Sequence, residues 1–178
     1  PTYREPYAVL QTTFESLTRN AFPLKRMIVI LAGEERDEHH FRNVSERIQK
    51  KYGHAFLRFM VTLHPSGSSG EIAGKGANMN YAGRQSKHLV DELGIPYEKL
   101  IVSSFDADTC VHYHYFTYLT YRYATHPSPT RASYQPLAVF NNNIWDAPAI
   151  TRVISYSTTF WLMTDQSRPE RLFSFSSH

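Results

Sequence analysis

The chain has 178 residues, enough for one domain with a hydrophobic core, and its 42% hydrophobic and 14% aromatic content argues against intrinsic disorder. Its 19 basic residues nearly balance its 16 acidic ones and are scattered along the chain, which argues against a nucleic-acid-binding protein. A single cysteine, Cys110, excludes an internal disulfide and a multi-cysteine zinc site, in keeping with a reducing compartment.

The two ends of the chain look like cut points within a longer protein. The sequence opens on Pro1 without an initiator Met and stops in a strand-like stretch, Phe173 to His178. Neither a signal peptide nor an apolar run of the ~20 residues needed to span a bilayer is visible. We therefore expect residues 1–178 to form a single domain that is a fragment of its protein.

Helices and strands alternate in the first part of the chain. Apolar residues at helical spacing predict helices over Tyr7 to Arg19 and Asp37 to Tyr52. Continuous apolar runs predict buried strands over Arg26 to Ala32 and Phe56 to Leu63. Gly and Ser then predict a flexible loop over His64 to Gly76.

The second part of the chain continues this alternation. A third buried strand is predicted over Leu100 to Phe105, a Pro-rich turn over His126 to Arg131, and a short strand over Leu137 to Phe140. Further helices are predicted over Asn78 to Leu93, Val111 to Ala124 and Ala149 to Met163. For Val111 to Ala124 the many aromatic and Thr residues leave a strand as the alternative.

This order of elements predicts an α/β fold with a mostly parallel sheet flanked by helices. Ligands of such sheets bind at the carboxyl ends of the strands, where the third predicted strand ends directly on Asp106. Asp106 and Asp108 offer two carboxylates one residue apart, a pattern that suits Mg²⁺ or Mn²⁺ together with a diphosphate. The alternative is a turn in which Asp106 caps the next helix.

Other segments are individually weaker candidates. In Gly74 to Asn78, Lys75 can pair with phosphate at a helix N-terminus, although taken alone the segment is better explained by a plain junction between loop and helix. Glu34 and its neighbours could meet a ribose or base, or begin a helix with Asp37 as its cap. Asp108, Cys110, His112 and His114 alternate, and could bind a transition metal only if they lie on a strand.

Taken in order, these segments resemble the nucleotide-sugar-binding half of a family 2 glycosyltransferase of the GT-A type, the group that includes cellulose and hyaluronan synthases. Pro1-Thr2-Tyr3-Arg4-Glu5 is similar to the family's P-x-Y-N-E loop, with Arg4 where Asn is common. Gly74-Lys75-Gly76-Ala77-Asn78 is similar to its Gly-Lys segment, and Phe105-Asp106-Ala107-Asp108 to its D-x-D strand end. The resemblance spans nearly the whole chain and implies an incomplete GT-A, Rossmann-like domain.

The resemblance also implies roles for single residues. Asp108, with Asp106, would bind the metal ion. The predicted donor-binding residues are Thr2, Tyr3, Glu5, Glu34, Lys75, Asn78 and Asp106. In the polar stretch Asn141 to Asp146, Asn143 and Trp145 are candidates for contact with the sugar or acceptor, the alternative being a turn with a half-buried Trp.

The chain also departs from the family pattern. The family's second strand usually ends in an Asp that reads uracil, and here Glu34 or Glu35 stands in that region. The family's first strand would precede Pro1, and the motif that supplies its general base would follow His178. No residue of this chain is therefore predicted to be the catalytic base.

The expected function is an inverting glycosyltransferase that transfers a sugar from a nucleoside diphosphate, a UDP-sugar, to an acceptor hydroxyl on a carbohydrate or lipid-linked molecule. The expected location is the cytoplasm, or the cytoplasmic face of a membrane if other parts of the protein carry membrane helices. A metal-dependent nucleotidyltransferase and a non-catalytic module that binds nucleotide-sugars are the alternatives.

Overall fold

The computed structural model describes residues 1–67, 70–72, 74–140 and 144–168. The chain divides into two compact units, residues 1–130 and 131–178. The helices of the described part are α1 (Tyr7–Thr18), α2 (Glu38–Tyr52), α3 (Lys75–Glu92), α4 (Tyr115–Thr125) and α5 (Ala149–Gln166). Its strands are β1 (Ile28–Glu34) and β2 (Arg58–His64). The predicted α/β class is thus confirmed at this coarse level.

The two strands form a parallel pair, with α2 as the connection between them. Ile28 lies opposite Arg58 at one end of the ladder, and Glu34 lies opposite His64 at the other. Because the strands are parallel, their carboxyl ends meet at the same edge. The residues that follow Glu34 and His64 are consequently brought together.

The hydrophobic core of the first unit lies where α1 and α2 pack with the strands. Its buried side chains are Leu10, Phe14, Leu17, Met27, Leu31, Phe41, Val44, Ile48, Tyr52 and Phe56. The ring of Phe14 stacks on that of Tyr52 at 5.7 Å between centroids. A Cβ at Gly33 would lie 2.5 Å from the ring of Phe41, so glycine is what allows α2 to pack this closely against β1.

The helix α3 begins at Lys75, three residues earlier than predicted. It ends as predicted before Gly94, whose φ of 62° lies in the left-handed region. The Gly94 N–H donates to the Asp91 carbonyl at 3.0 Å, and the Ile95 N–H donates to the Val90 carbonyl at 3.3 Å. This pattern of bonds satisfies the last carbonyls of the helix and terminates it.

Two predicted strands are wrong. Residues 100–105 form no strand, and Val102 is 91% exposed, whereas the prediction had the run buried on both faces. Residues 137–140 form no strand either, and the Phe140 N–H donates to the Thr159 hydroxyl at 3.3 Å instead of to a neighbouring strand. An apolar run indicates a tendency towards burial. A strand also needs a neighbouring strand whose backbone groups can hydrogen-bond with its own.

The predicted helix from Val111 to Ala124 starts later, at Tyr115, and the strand alternative for it is wrong. The preceding backbone is bonded to α1 and its end instead. The Val111 N–H donates to the Ser16 hydroxyl at 3.1 Å, and the Tyr113 carbonyl accepts from the Ala21 N–H at 2.9 Å. The bond from Ala21 occupies the Tyr113 carbonyl, which an earlier helical turn would use to accept from the N–H four residues on.

The second unit contains α5, which runs three residues beyond its predicted end. The amide of Gln166 donates to the Pro136 carbonyl at 3.3 Å, so the segment before α5 lies along the helix. Across the described part of the chain, no helix combines the length and hydropathy that a membrane crossing requires.

Candidate functional site

The N-terminal loop lies against the carboxyl end of β1. The Thr2 N–H donates to the Ala32 carbonyl at 2.8 Å, and Thr2 is only 6% exposed. The Glu5 carboxylate accepts hydrogen bonds from the Thr2 hydroxyl and the Tyr3 N–H, which closes the loop on itself. Three of the predicted donor-binding residues, Thr2, Tyr3 and Glu5, therefore belong to one folded turn.

Arg4 occupies a backbone conformation that an arginine rarely adopts. Its φ is 65°, a region that Asn visits more readily than most other side chains, and Asn is the residue common here in the resembling family. The Arg4 N–H donates to the Asp37 carboxylate at 2.9 Å. Asp37 precedes α2, as predicted for its cap, but its side chain makes no capping hydrogen bond and contacts Arg4 and His40 instead.

Asn78 lies on the first turn of α3, and it is 1% exposed. Its amide nitrogen donates to the Ala32 carbonyl at 3.4 Å, the same carbonyl that Thr2 uses. Its side-chain oxygen is buried and has no hydrogen-bond partner among the described residues. The N-terminal loop and the start of α3 thus meet at Ala32.

Lys75 and Asp106 form an ion pair between the start of α3 and the acidic motif. Their side chains are 34% and 35% exposed, so both remain accessible to a ligand. Pro1 lies within electrostatic range of Asp106, Lys75 and Glu5, which brings the N-terminal loop close to this pair.

The acidic motif forms a turn that is hydrogen-bonded to α1. The Thr109 N–H donates to the Asp106 carbonyl at 3.1 Å. The Ala107 carbonyl accepts from the Thr13 hydroxyl at 2.7 Å, and Ala107 packs against the core. Asp108 is exposed. The alternative in which Asp106 caps the next helix is wrong, because α4 starts at Tyr115 with His114 in the capping position.

The described residues contain no group of three or more His, Cys, Asp or Glu side chains arranged to hold a metal ion. The alternative cluster around Cys110 accordingly receives no support, and burial raises the pKa of that thiol. Asp106 and Asp108 provide two carboxylates on a partly exposed turn. Such a donor set suits Mg²⁺ or Mn²⁺, which take one or two carboxylates and complete their shell with water and substrate phosphate.

A cleft of about 90 Å³ opens at the carboxyl ends of the two strands. Its lining residues are Glu34, Glu35, Arg36, His64, Pro65, Ser66, Gly67 and Glu71. Glu34 is 6% exposed and binds the Arg36 side chain, a hydrogen bond that raises the pKa of that guanidinium. The Arg36 guanidinium also lies 4.4 Å from the centre of the Tyr3 ring, which connects the N-terminal loop to the cleft.

The far wall of this cleft is held by two further contacts. The Glu35 carboxylate accepts from the Ser66 N–H at 2.7 Å and from its hydroxyl, and these bonds lower the pKa of Glu35. The His64 Nε2 lies 2.9 Å from a carboxylate oxygen of Glu71. Arg36 lies in the segment that the sequence offered for a ribose or base, whereas sequence reasoning missed His64 and Glu71. The place of His64 directly after an apolar run was the available signal, whereas Glu71 lies in a loop without periodicity.

Trp145 belongs to the second unit, where its side chain is 75% exposed and the Arg152 guanidinium lies 6.0 Å from its ring. Asn143 and the terminal stretch Phe173 to His178 lie outside the described residues. Contact of Asn143 and Trp145 with a sugar or acceptor therefore stays a prediction.

Comparisons with protein-family models, curated proteins and solved structures found no match to this chain. The glycosyltransferase family therefore stays a prediction that rests on the motifs and their order.

Proposed function

We propose that the chain binds a nucleoside-diphosphate sugar, a UDP-sugar, together with Mg²⁺ or Mn²⁺, as the donor-binding part of an inverting glycosyltransferase. The observation that carries the proposal is the ion pair between Lys75 and Asp106. It places the Gly-Lys segment beside the acidic motif, and both lie near the N-terminal loop. Three segments widely separated in the chain thus form one partly exposed site at the edge of the sheet.

The charges of this site suit a diphosphate next to a cation. Lys75 is the first residue of α3, an 18-residue helix whose N-terminal N–H groups and dipole favour an anion. In the free protein Lys75 and Asp106 neutralise one another. We expect Lys75 to turn to the diphosphate when the donor binds, which leaves the Asp106 carboxylate available to the metal ion, ribose or sugar.

Asp108 and Asp106 are the residues that would hold the divalent cation. A cation held there would neutralise the negative charge that builds up on the departing diphosphate. The protein's own part is to keep the acidic turn in place, which it does through the bond from Thr13 to the Ala107 carbonyl.

The cleft at the strand ends suits the nucleoside end of the donor. It has a volume of about 90 Å³ and is lined by Glu34 and Glu35. Glu34 and Glu35 offer acceptors for ring N–H groups, and Tyr3 borders the cleft through Arg36. Both carboxylates already accept hydrogen bonds, so a base has to compete with Arg36 and Ser66 for them.

Transfer of the sugar requires a base that deprotonates the acceptor hydroxyl, and we assign that role to no residue of this chain. Losing such a base costs roughly 10²–10⁴-fold in rate. Donor binding is therefore the sharper test of the proposal than turnover.

The test is the melting temperature of the chain with UDP and Mn²⁺, measured against either component alone. At a UDP concentration about 100 times Kd, we expect a rise of roughly 5–10 °C. Asp108→Ala should abolish the rise, because the turn loses a metal-binding carboxylate. Glu92→Ala, at the exposed end of α3, should retain it. If no nucleoside diphosphate stabilises the wild type in the presence of metal, the proposed function is wrong.

A further inference from the structure

His64 is a buried titratable residue to which the proposed function assigns no role. It is the last residue of β2 and is 6% exposed. Its Nε2 lies 2.9 Å from the Glu71 carboxylate, and the edge of its ring meets the Tyr81 ring at 5.4 Å between centroids. A buried imidazole that bonds a carboxylate on one side and packs on an aromatic ring on the other is held in one orientation.

The two partners of His64 lie on different segments. Glu71 belongs to the connection between β2 and α3, and Tyr81 lies on α3 itself. His64 therefore links the end of the strand both to the connection and to the helix that the connection leads into. The Glu71 side chain is 33% exposed, so the hydrogen bond joins a buried imidazole to a partly exposed carboxylate.

The same connection carries groups of the proposed donor site at both of its ends. Near β2, Ser66 bonds Glu35 on the wall of the cleft. Near α3, four residues after Glu71, Lys75 pairs with Asp106. Glu71 thus lies five residues after Ser66 and four residues before Lys75 in the chain.

We propose that His64 and Glu71 are a positioning pair, whose hydrogen bond holds the connection between β2 and α3 so that the cleft wall and Lys75 are placed for the donor. This inference rests on the proposed function. The pair acts through Ser66 and Lys75 and does not itself touch the reacting atoms.

The test compares Glu71→Ala with Glu71→Gln in the 178-residue chain. Gln keeps an oxygen that accepts from His64, whereas Ala removes the bond. By calorimetry with UDP and Mn²⁺, Glu71→Ala should weaken binding roughly tenfold, the change expected for one charge-assisted hydrogen bond. Glu71→Gln should stay within about threefold of the wild type, since its neutral hydrogen bond retains about half of that energy. Glu92→Ala, at the end of α3, serves as the control, because it also removes an acidic side chain but lies away from His64 in the sequence.

His64→Phe supplies an independent arm, since it keeps a ring against Tyr81 but cannot bond Glu71. It should weaken binding to the same degree as Glu71→Ala, and the double variant should be no weaker than either single one, because both remove one interaction. The positioning role of the pair would be contradicted if Glu71→Ala bound as tightly as the wild type. It would also be contradicted if Glu71→Gln bound as weakly as Glu71→Ala.

Hydrogen exchange of the free chain separates this inference from the proposed function. Glu71→Ala should speed exchange of the amides around residues 64–75, and Glu71→Gln should restore the wild-type rate. If the wild type binds no nucleoside diphosphate, the proposed function is wrong. Independently of that result, unchanged exchange in Glu71→Ala would show that the pair does not hold the connection.

Discussion

Lys75 shows how little a contact between two residues says about stability and how much it says about a site. Its ion pair with Asp106 is about one-third exposed on each side. Such pairs contribute about 0–1 kcal/mol to the free energy of unfolding, because water and salt screen them. Because the pair contributes so little to stability, Lys75 can leave Asp106 and bind a phosphate at little cost to the fold.

Lys75→Ala should therefore separate binding from stability. We expect its free energy of unfolding in urea to stay within about 1 kcal/mol of the wild type. Its affinity for UDP with Mn²⁺ should fall at least tenfold, because a cation is lost from the phosphate site. Lys87→Ala breaks a comparable pair with Asp91 on the same helix and should leave the affinity unchanged. Equal affinities for both variants would contradict the placement of Lys75 at the diphosphate.

At the scale of elements, α1 does more than contribute to the core. Two polar side chains of α1, and a third just beyond its end, bond the backbone of the segment that contains the acidic motif. Thr13 bonds the Ala107 carbonyl, Ser16 the Val111 N–H, and Asn20 the His112 carbonyl at 2.9 Å. These bonds hold the turn in the absence of a strand ladder, which explains how Asp106 and Asp108 are placed although residues 100–105 form no strand.

Thr13→Val should loosen this turn while preserving the shape of the side chain. Val lacks the hydroxyl, so the Ala107 carbonyl loses its partner. Because Thr13 is buried, we expect a cost of about 1–3 kcal/mol in the free energy of unfolding. Binding of UDP with Mn²⁺ should weaken as well, because the carboxylates become less well placed. Thr12→Val is the matched control, since the Thr12 hydroxyl bonds only the Ala8 carbonyl of its own helix. A loss of stability without any loss of affinity would show that α1 does not position the motif.

The strands show what a pattern of apolar residues can and cannot predict. The runs before Ala32 and Leu63 predicted strands, and both are confirmed with ends shifted by one or two residues. The run from Leu100 to Phe105 begins with three apolar residues but contains Ser103 and Ser104, and it pairs with neither strand. Apolar periodicity reflects a preference for burial that each segment carries by itself, whereas pairing depends on which other segments are adjacent.

At the scale of the whole molecule, the sequence predicted a single domain over 1–178, whereas the chain divides into two compact units. The buried cluster around α1, α2 and the two strands lies in the first unit, residues 1–130, and so do all the predicted donor-binding and metal-binding residues. In the second unit Ile144 and Leu162 are buried. Trp145 lies in the second unit. Folding and donor binding are therefore both expected to reside in the first unit.

A chain cut to residues 1–130 should fold cooperatively and retain the thermal response to UDP with Mn²⁺. Its own buried cluster supplies the apolar burial that drives folding. Circular dichroism melting, with and without the ligands, measures both properties. A broad, non-cooperative transition would show that residues 131–178 are needed to complete the core.

The sequence alone determined the α/β class, the parallel first pair of strands and most of the helices, and it predicted which residues suit phosphate and metal. These follow from local periodicity and side-chain chemistry, which each segment carries independently. Only the tertiary structure decided that Lys75 meets Asp106, that α1 holds the acidic turn, and that His64 bonds Glu71. Such contacts join residues from separate segments, and no local pattern encodes which donors and acceptors the packing of helices and strands brings together.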